Sequence, residues 1–109
     1  MIHLSPFFAV SFALMCFMST TASADIAKGQ KWYVKNCKEC HGDGSKGAAL
    51  HTQDEWEELF GNSAKLLIKK HEGSKVELYF KGDEFKDRSK HIRDFLFEYG
   101  SDSGNVPAC

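Results

Sequence analysis

From residue 25 onward, apolar positions recur at helical spacing, and no segment shows the period-two alternation of a strand. Asp25 is placed to N-cap a helix running from Ile26 to about Asn36. Thr52-Gln53-Asp54-Glu55 has the form of a capping box and opens a second helix carrying Trp56, Leu59 and Phe60. Asn62 or Ser63 would cap a third helix ending at His71, with Gly73 as its stop. If the chain is continuous there, Phe60, Ala64, Leu67, Ile68 and His71 share one face. A short segment from Lys75 to Phe80 turns Val76, Tyr79 and Phe80 inward, and Gly82 breaks it. The last helix starts near Asp83 or Asp87 and ends at Tyr99, burying Ile92, Phe95, Leu96 and Tyr99, with Gly100 following. Ser101 to Cys109 is a polar tail containing Gly and Pro. The pattern predicts one all-α domain.

The first 24 residues follow a different rule. Met1 to Thr21 holds no Lys, Arg, Asp or Glu, Pro6 to Met18 is almost wholly apolar, and Ala22-Ser23-Ala24 is a small-x-small cleavage site. This reads as a secretory signal peptide over residues 1–24, followed by a domain over 25–109. The apolar run is short for a membrane span. The segment before it lacks Lys and Arg, so an uncleaved anchor is the alternative, and a membrane association would follow only from that.

Charge adds little beyond an exclusion. Fourteen Lys and Arg against fifteen Asp and Glu give a formal net charge of −1, without the basic excess of a nucleic-acid binder. A domain of residues 25–109 is near the size at which an ordinary core becomes marginal and a covalent or metal staple is expected.

Cys37-Lys38-Glu39-Cys40-His41 supplies that staple. It has the form C-x-x-C-H, in which two thiols form thioethers to one porphyrin and the adjacent imidazole becomes the proximal iron ligand. The expected cofactor is one covalent haem c, held by Cys37 and Cys40 with His41 at iron. Haem attachment of this type occurs outside the cytoplasm, in keeping with the leader, so the expected location is the periplasm. The other mature cysteine is Cys109, which leaves no internal disulfide and points to a free or dimer-forming thiol. The glycine-rich stretch His41 to Gly47 lacks the G-K-[ST] ending of a phosphate loop and reads as a loop beneath the porphyrin. A haem-free zinc site at Cys37, Cys40 and His41 is a further alternative, although adjacent Cys40 and His41 diverge too far for comfortable tetrahedral ligation.

Gly29, Tyr33 and Cys37 stand four residues apart on one helical face, and Ile92, Phe95 and Leu96 line the last helix. With the haem motif, these residues resemble a class I, monohaem cytochrome c, of a small bacterial periplasmic type, over nearly the whole mature chain. The resemblance implies four to five short helices around one covalent haem, the last helix crossing the first where the glycine permits close approach. Two departures stand out. Ala48-Ala49-Leu50 occupies the place of the family's usual proline beneath the haem, so support for His41 has to come from elsewhere, such as a loop carbonyl. The family's usual distal methionine is missing too, since the three methionines are Met1, Met15 and Met18, all in the leader.

His71 is the leading candidate for the distal position, since it ends the apolar stripe of its helix. His91, on the flank of the last helix, and His51, just before the capping box, follow. Lys75, Lys81, Asn62, Cys109 or an open site complete the set. The resemblance implies a one-electron carrier with redox-protein partners and no catalysis of its own. A weak or absent sixth ligand would instead make a gas-binding or redox-sensing haem protein. Lys31, Lys35, Lys38, Lys46, Lys69 and Lys70 could contribute a docking surface, though solvated helix faces account for most such lysines.

Overall fold

The computed structural model describes residues 26–108. The leader, Asp25 and Cys109, with the expectations attached to them, lie outside the described residues. Within them the chain is all-α, with no strand. The elements are α1 (residues 26–36), α2 (Lys38–His41), α3 (Gly44–Ala48), α4 (Gln53–Lys70), α5 (Glu77–Lys81) and α6 (Asp83–Glu98). Among the described residues no helix is long and apolar enough to cross a membrane.

The fold is organised by α6, which packs against α4, α5 and α3. Its inward residues Ile92, Phe95 and Leu96 are buried, Phe95 completely. The crossing of α1 and α6 lies at Gly29. A Cβ there would overlap the His91 carbonyl oxygen and come within 2.9 Å of Phe95 Cβ, so only glycine lets the two backbones meet. Tyr33, one turn on, tilts against Phe95 with ring centroids 5.6 Å apart. The core also takes in Trp56, Leu59, Phe60, Phe80 and Phe85, and among the described residues no charged residue is buried.

Three features depart from the sequence pattern. The glycine-rich stretch after the haem motif is not an open loop. Asp43 caps it by accepting from the Lys46 amide at 3.0 Å and the Ser45 hydroxyl at 2.7 Å, and a single helical turn, α3, forms. These donors, the Lys46 amide foremost, hold the Asp43 carboxyl below its ordinary range.

The second departure is at the middle of α4. Its start is as expected, since Thr52 and Glu55 form a complete capping box. No side-chain cap starts a separate helix at Asn62 or Ser63. Instead Asn62, Ser63 and Ala64 take left-handed backbone angles, with φ of 52°, 57° and 60°. This turn breaks α4 into two halves yet returns the chain with the predicted face inward. Phe60 and Ala64 are buried, and Leu67, Ile68 and His71 are partly buried. Left-handed backbone costs L-residues roughly 1–2 kcal/mol each, least for Asn, so packing of the two halves must offset it. Gly73, at φ 78°, closes the distal half as expected.

The third departure is the tail. Pro107 is buried, the Gln30 side-chain amide donates to the Ala108 carbonyl at 2.6 Å, and the Gln53 amide donates to Asp102 at 2.8 Å. The segment after Gly100 is a strap that ties α1 to the start of α4.

Candidate haem site

A cleft of about 390 Å³ opens between α2–α3 on one side and the end of α4 with α5 on the other. Trp56, Leu59, Phe60, Phe85, Ile92 and Leu96 form its apolar depth, and Cys37, Cys40 and His41 stand at its edge.

The motif residues share a side because the chain is helical where they sit. The Cys37 carbonyl accepts from the Cys40 and His41 amides at 3.3 and 3.1 Å, and the Gly42 amide closes on Lys38 at 2.9 Å. Cys37, Cys40 and His41 are then at i, i+3 and i+4, one face of a single turn. Cys40 and His41 are exposed, while Cys37 is partly buried. Burial, with a smaller contribution from neighbouring Cys40, pushes the Cys37 thiol up to about 11. As a free side chain it is a neutral thiol through the physiological range.

Tyr33 and Trp56 hold the loop that lacks the family's proline. The Tyr33 hydroxyl donates to the Gly42 carbonyl at 2.8 Å, with a longer contact to the Asp43 carbonyl at 3.3 Å. Gly47 makes room for it, because a Cβ there would overlap that hydroxyl. The Trp56 indole nitrogen donates to the buried Ala48 carbonyl at 2.8 Å. The loop carbonyl expected to brace the His41 ring is not found among the described residues; Tyr33 and Trp56 tie down the loop's own carbonyls instead. Tyr33 and Trp56 are visible in the sequence as inward helix residues, but their polar ends carry no sequence signal of this bracing.

His71 faces His41 across the cleft. Their ring centroids are 6.1 Å apart and the planes cross at 78°. The His71 Nδ1 is 2.7 Å from the Leu67 carbonyl, where a proton on Nδ1 leaves the Nε2 lone pair free. The ring also stacks on Phe80, centroids 4.1 Å apart and planes at 25°.

The other candidates lie elsewhere. His51 lines the cleft, but its ring rests edge-on against Trp56 at 4.8 Å, with Nδ1 3.8 Å from Glu55. The His91 ring packs against Trp32 at 5.4 Å on the α1 side and is not part of the cleft wall. Lys75 reaches the cleft rim and pairs at 3.2 Å with Glu39, next to Cys40 in sequence. Lys81 pairs with Glu77 at 3.3 Å. Asn62 is in the left-handed turn, lining a separate surface groove with Lys65 and Lys69.

These residues fit a porphyrin. A haem brings four nitrogens of its own and asks the chain for axial donors and, in this motif, two thiols. Metal-bound imidazole nitrogens lie about 2 Å from the metal, with the ring centre roughly 1 Å behind, so two opposed axial rings are about 6 Å apart. The 6.1 Å between His41 and His71 meets that spacing. A bare tetrahedral metal is served less well, because among the described residues no group of three or more His, Cys, Asp or Glu converges.

Comparison with known proteins places the chain among c-type cytochromes. No solved structure matches the chain. The chain is similar to the cbb3-type cytochrome c oxidase subunit FixP of Bradyrhizobium diazoefficiens, 41% identical over 56 residues. That alignment covers 47% of this chain and 19% of the relative, so the chain spans about a fifth of that protein's length. The family described as cytochrome c oxidase, cbb3-type, subunit III matches residues 24–93, from the start of α1 to well into α6. The all-α cytochrome c-like fold and the haem c motif are therefore those of a c-type cytochrome domain, and the chain belongs to the cbb3-type subunit III family.

Proposed function

We propose that this protein is an exported one-electron carrier with a single haem c, in which His41 is the proximal and His71 the distal axial ligand. Haem c, when bound, supplies a metal centre that accepts and releases one electron. The chain's residues do the rest. Cys37 and Cys40 hold the group covalently on one helical turn. Trp56, Phe60, Phe85 and Leu96 keep water from its buried side. Imidazole in place of a thioether donor sets a lower potential than the family's usual His/Met pair.

The observation that carries the reading is the pairing of His41 and His71 at 6.1 Å, with the His71 tautomer set by the Leu67 carbonyl. A second strong donor held by a hydrogen bond and a stacked ring favours electron transfer over capture of a gas molecule. The leader supports periplasmic placement, cleavage after Ala24 and a carrier free of the membrane. The relative's name makes a cbb3-type cytochrome c oxidase the first redox partner to test.

Near-infrared magnetic circular dichroism of the ferric holoprotein tests the ligand set. The expected band is that of two imidazoles, and His71→Ala should turn the iron high-spin while the haem stays attached. A wild-type protein that is high-spin, or that binds carbon monoxide rapidly when reduced, would instead establish the gas-binding function.

A further inference from the structure

The ring of His71 is held in its plane as well as in its place. The hydrogen bond from Nδ1 to the Leu67 carbonyl fixes one point of the ring and leaves rotation about that bond open. The face of Phe80 closes that freedom, since a ring stacked at 4.1 Å with planes 25° apart cannot swing without losing the contact. Phe80 is itself immobilised. It is 7% exposed, and it meets Phe85 at 4.8 Å and Tyr79 at 5.4 Å, both at steep interplanar angles. Phe85 in turn touches Phe60 and Tyr79. This aromatic cluster joins α4, α5 and α6 and ends on the imidazole.

From this we infer that Phe80 is a positioning residue which holds the His71 ring nearly perpendicular to the His41 ring, at the observed 78°. The inference rests on the two-histidine reading above. Its consequence is electronic. Parallel axial imidazoles split the two π-type d orbitals of low-spin ferric iron and give a rhombic three-line paramagnetic resonance spectrum. Crossed imidazoles leave those orbitals nearly degenerate and give a single, highly anisotropic low-field feature. The side chain at position 80 thereby selects the ligand-field type without touching the metal. A ring that cannot rotate also stays the same in both oxidation states, which keeps the reorganisation on electron transfer small.

Electron paramagnetic resonance on the ferric holoprotein tests this. The wild type should show the single low-field feature, and a rhombic wild-type spectrum overturns the inference. Phe80→Met keeps the volume and removes the flat face. It should lose that feature in favour of a rhombic spectrum, while the near-infrared dichroism still reports two imidazoles. Phe80→Tyr keeps the face and should restore the wild-type spectrum, and Phe80→Leu replaces Phe80→Met if the latter carries too little haem. An unchanged spectrum in Phe80→Met or Phe80→Leu overturns the role of Phe80. A rhombic wild type with two-imidazole dichroism removes this inference and leaves the ligand assignment standing. Absence of the two-imidazole band removes both.

Discussion

Gly29→Ala puts the helix crossing under direct load. The added Cβ would overlap the carbonyl oxygen of His91 and lie 2.9 Å from Phe95 Cβ. Neither neighbour is the free end of a flexible side chain, so α1 and α6 must separate. Overpacking of a well-packed core costs about 1–3 kcal/mol, and a backbone obstacle puts this case at the upper end. Against it stands about 1 kcal/mol gained when alanine replaces glycine inside a helix. The net loss is about 2 kcal/mol, a sizeable share of the ~5–10 kcal/mol available to a domain of this size. The melting temperature should fall by roughly 8–16 °C. Guanidinium denaturation of the holoprotein, followed by far-ultraviolet dichroism and the Soret band, gives the difference directly. Gly61→Ala is the internal control, because nothing lies within 4 Å of its Cβ and its φ of −65° suits alanine. It should be neutral or gain about 0.4–1 kcal/mol. A Gly29→Ala protein within about 0.5 kcal/mol of wild type, the range of an ordinary surface change, would refute the close crossing.

Other predictions address the loop, the turn and alkaline pH. Trp56→Phe leaves the buried Ala48 carbonyl without its donor; it should lose about 1–3 kcal/mol in denaturation, and no loss would mean the loop is braced elsewhere. Ser63→Gly relieves about 1–2 kcal/mol of left-handed strain against about 0.4–1 kcal/mol of unfolded-chain entropy, so its denaturation midpoint should rise slightly; a fall would contradict the turn. Tyr33 and Tyr79 are each pushed from 10.0 to about 12, chiefly by burial. The folded state therefore holds their protons more tightly than the unfolded chain. Their contribution to stability is complete below pH 10 and drains away as pH rises from 10 to 12. Stability curves across that range should show the decline, and Tyr33→Phe should lessen it; an identical slope in the variant would remove Tyr33 as a source.

Much of the frame was legible because it rests on periodicity and on residues with few uses. The stripe from Phe60 to His71 and the stop at Gly73 place a histidine at the inner end of a helix without any knowledge of the fold. The helix crossing at Gly29 was legible through the resemblance to class I cytochromes c rather than through periodicity, and the structure shows that only glycine fits there. The features that escaped are of another kind. The turn at Asn62 to Ala64 uses Ser and Ala in a conformation neither prefers, so no local signal marks it. The single-turn helix α3 is too short to show a period, and its cap, Asp43, looks like any loop aspartate. The stack of Phe80 on His71 requires α5 to fold back over the end of α4, a tertiary event that neither segment encodes alone. The strap after Gly100 reads as polar because its anchors are backbone groups, a proline and one aspartate.

The left-handed turn at Asn62 to Ala64 also bears on the order in which the protein comes apart. It divides α4 into a half tied to the α3 loop by Trp56 and a short half ending at His71, in which Leu67, Ile68 and His71 are partly rather than fully buried. Backbone strain concentrated between them makes this joint the natural boundary of a cooperative unit. Amide hydrogens of residues 65–71 should exchange through a low-energy opening, while those around Trp56 wait for global unfolding. In rising denaturant the His71 side of the cleft then opens before the His41 side, and the motif turn is the last part of the site to remain assembled.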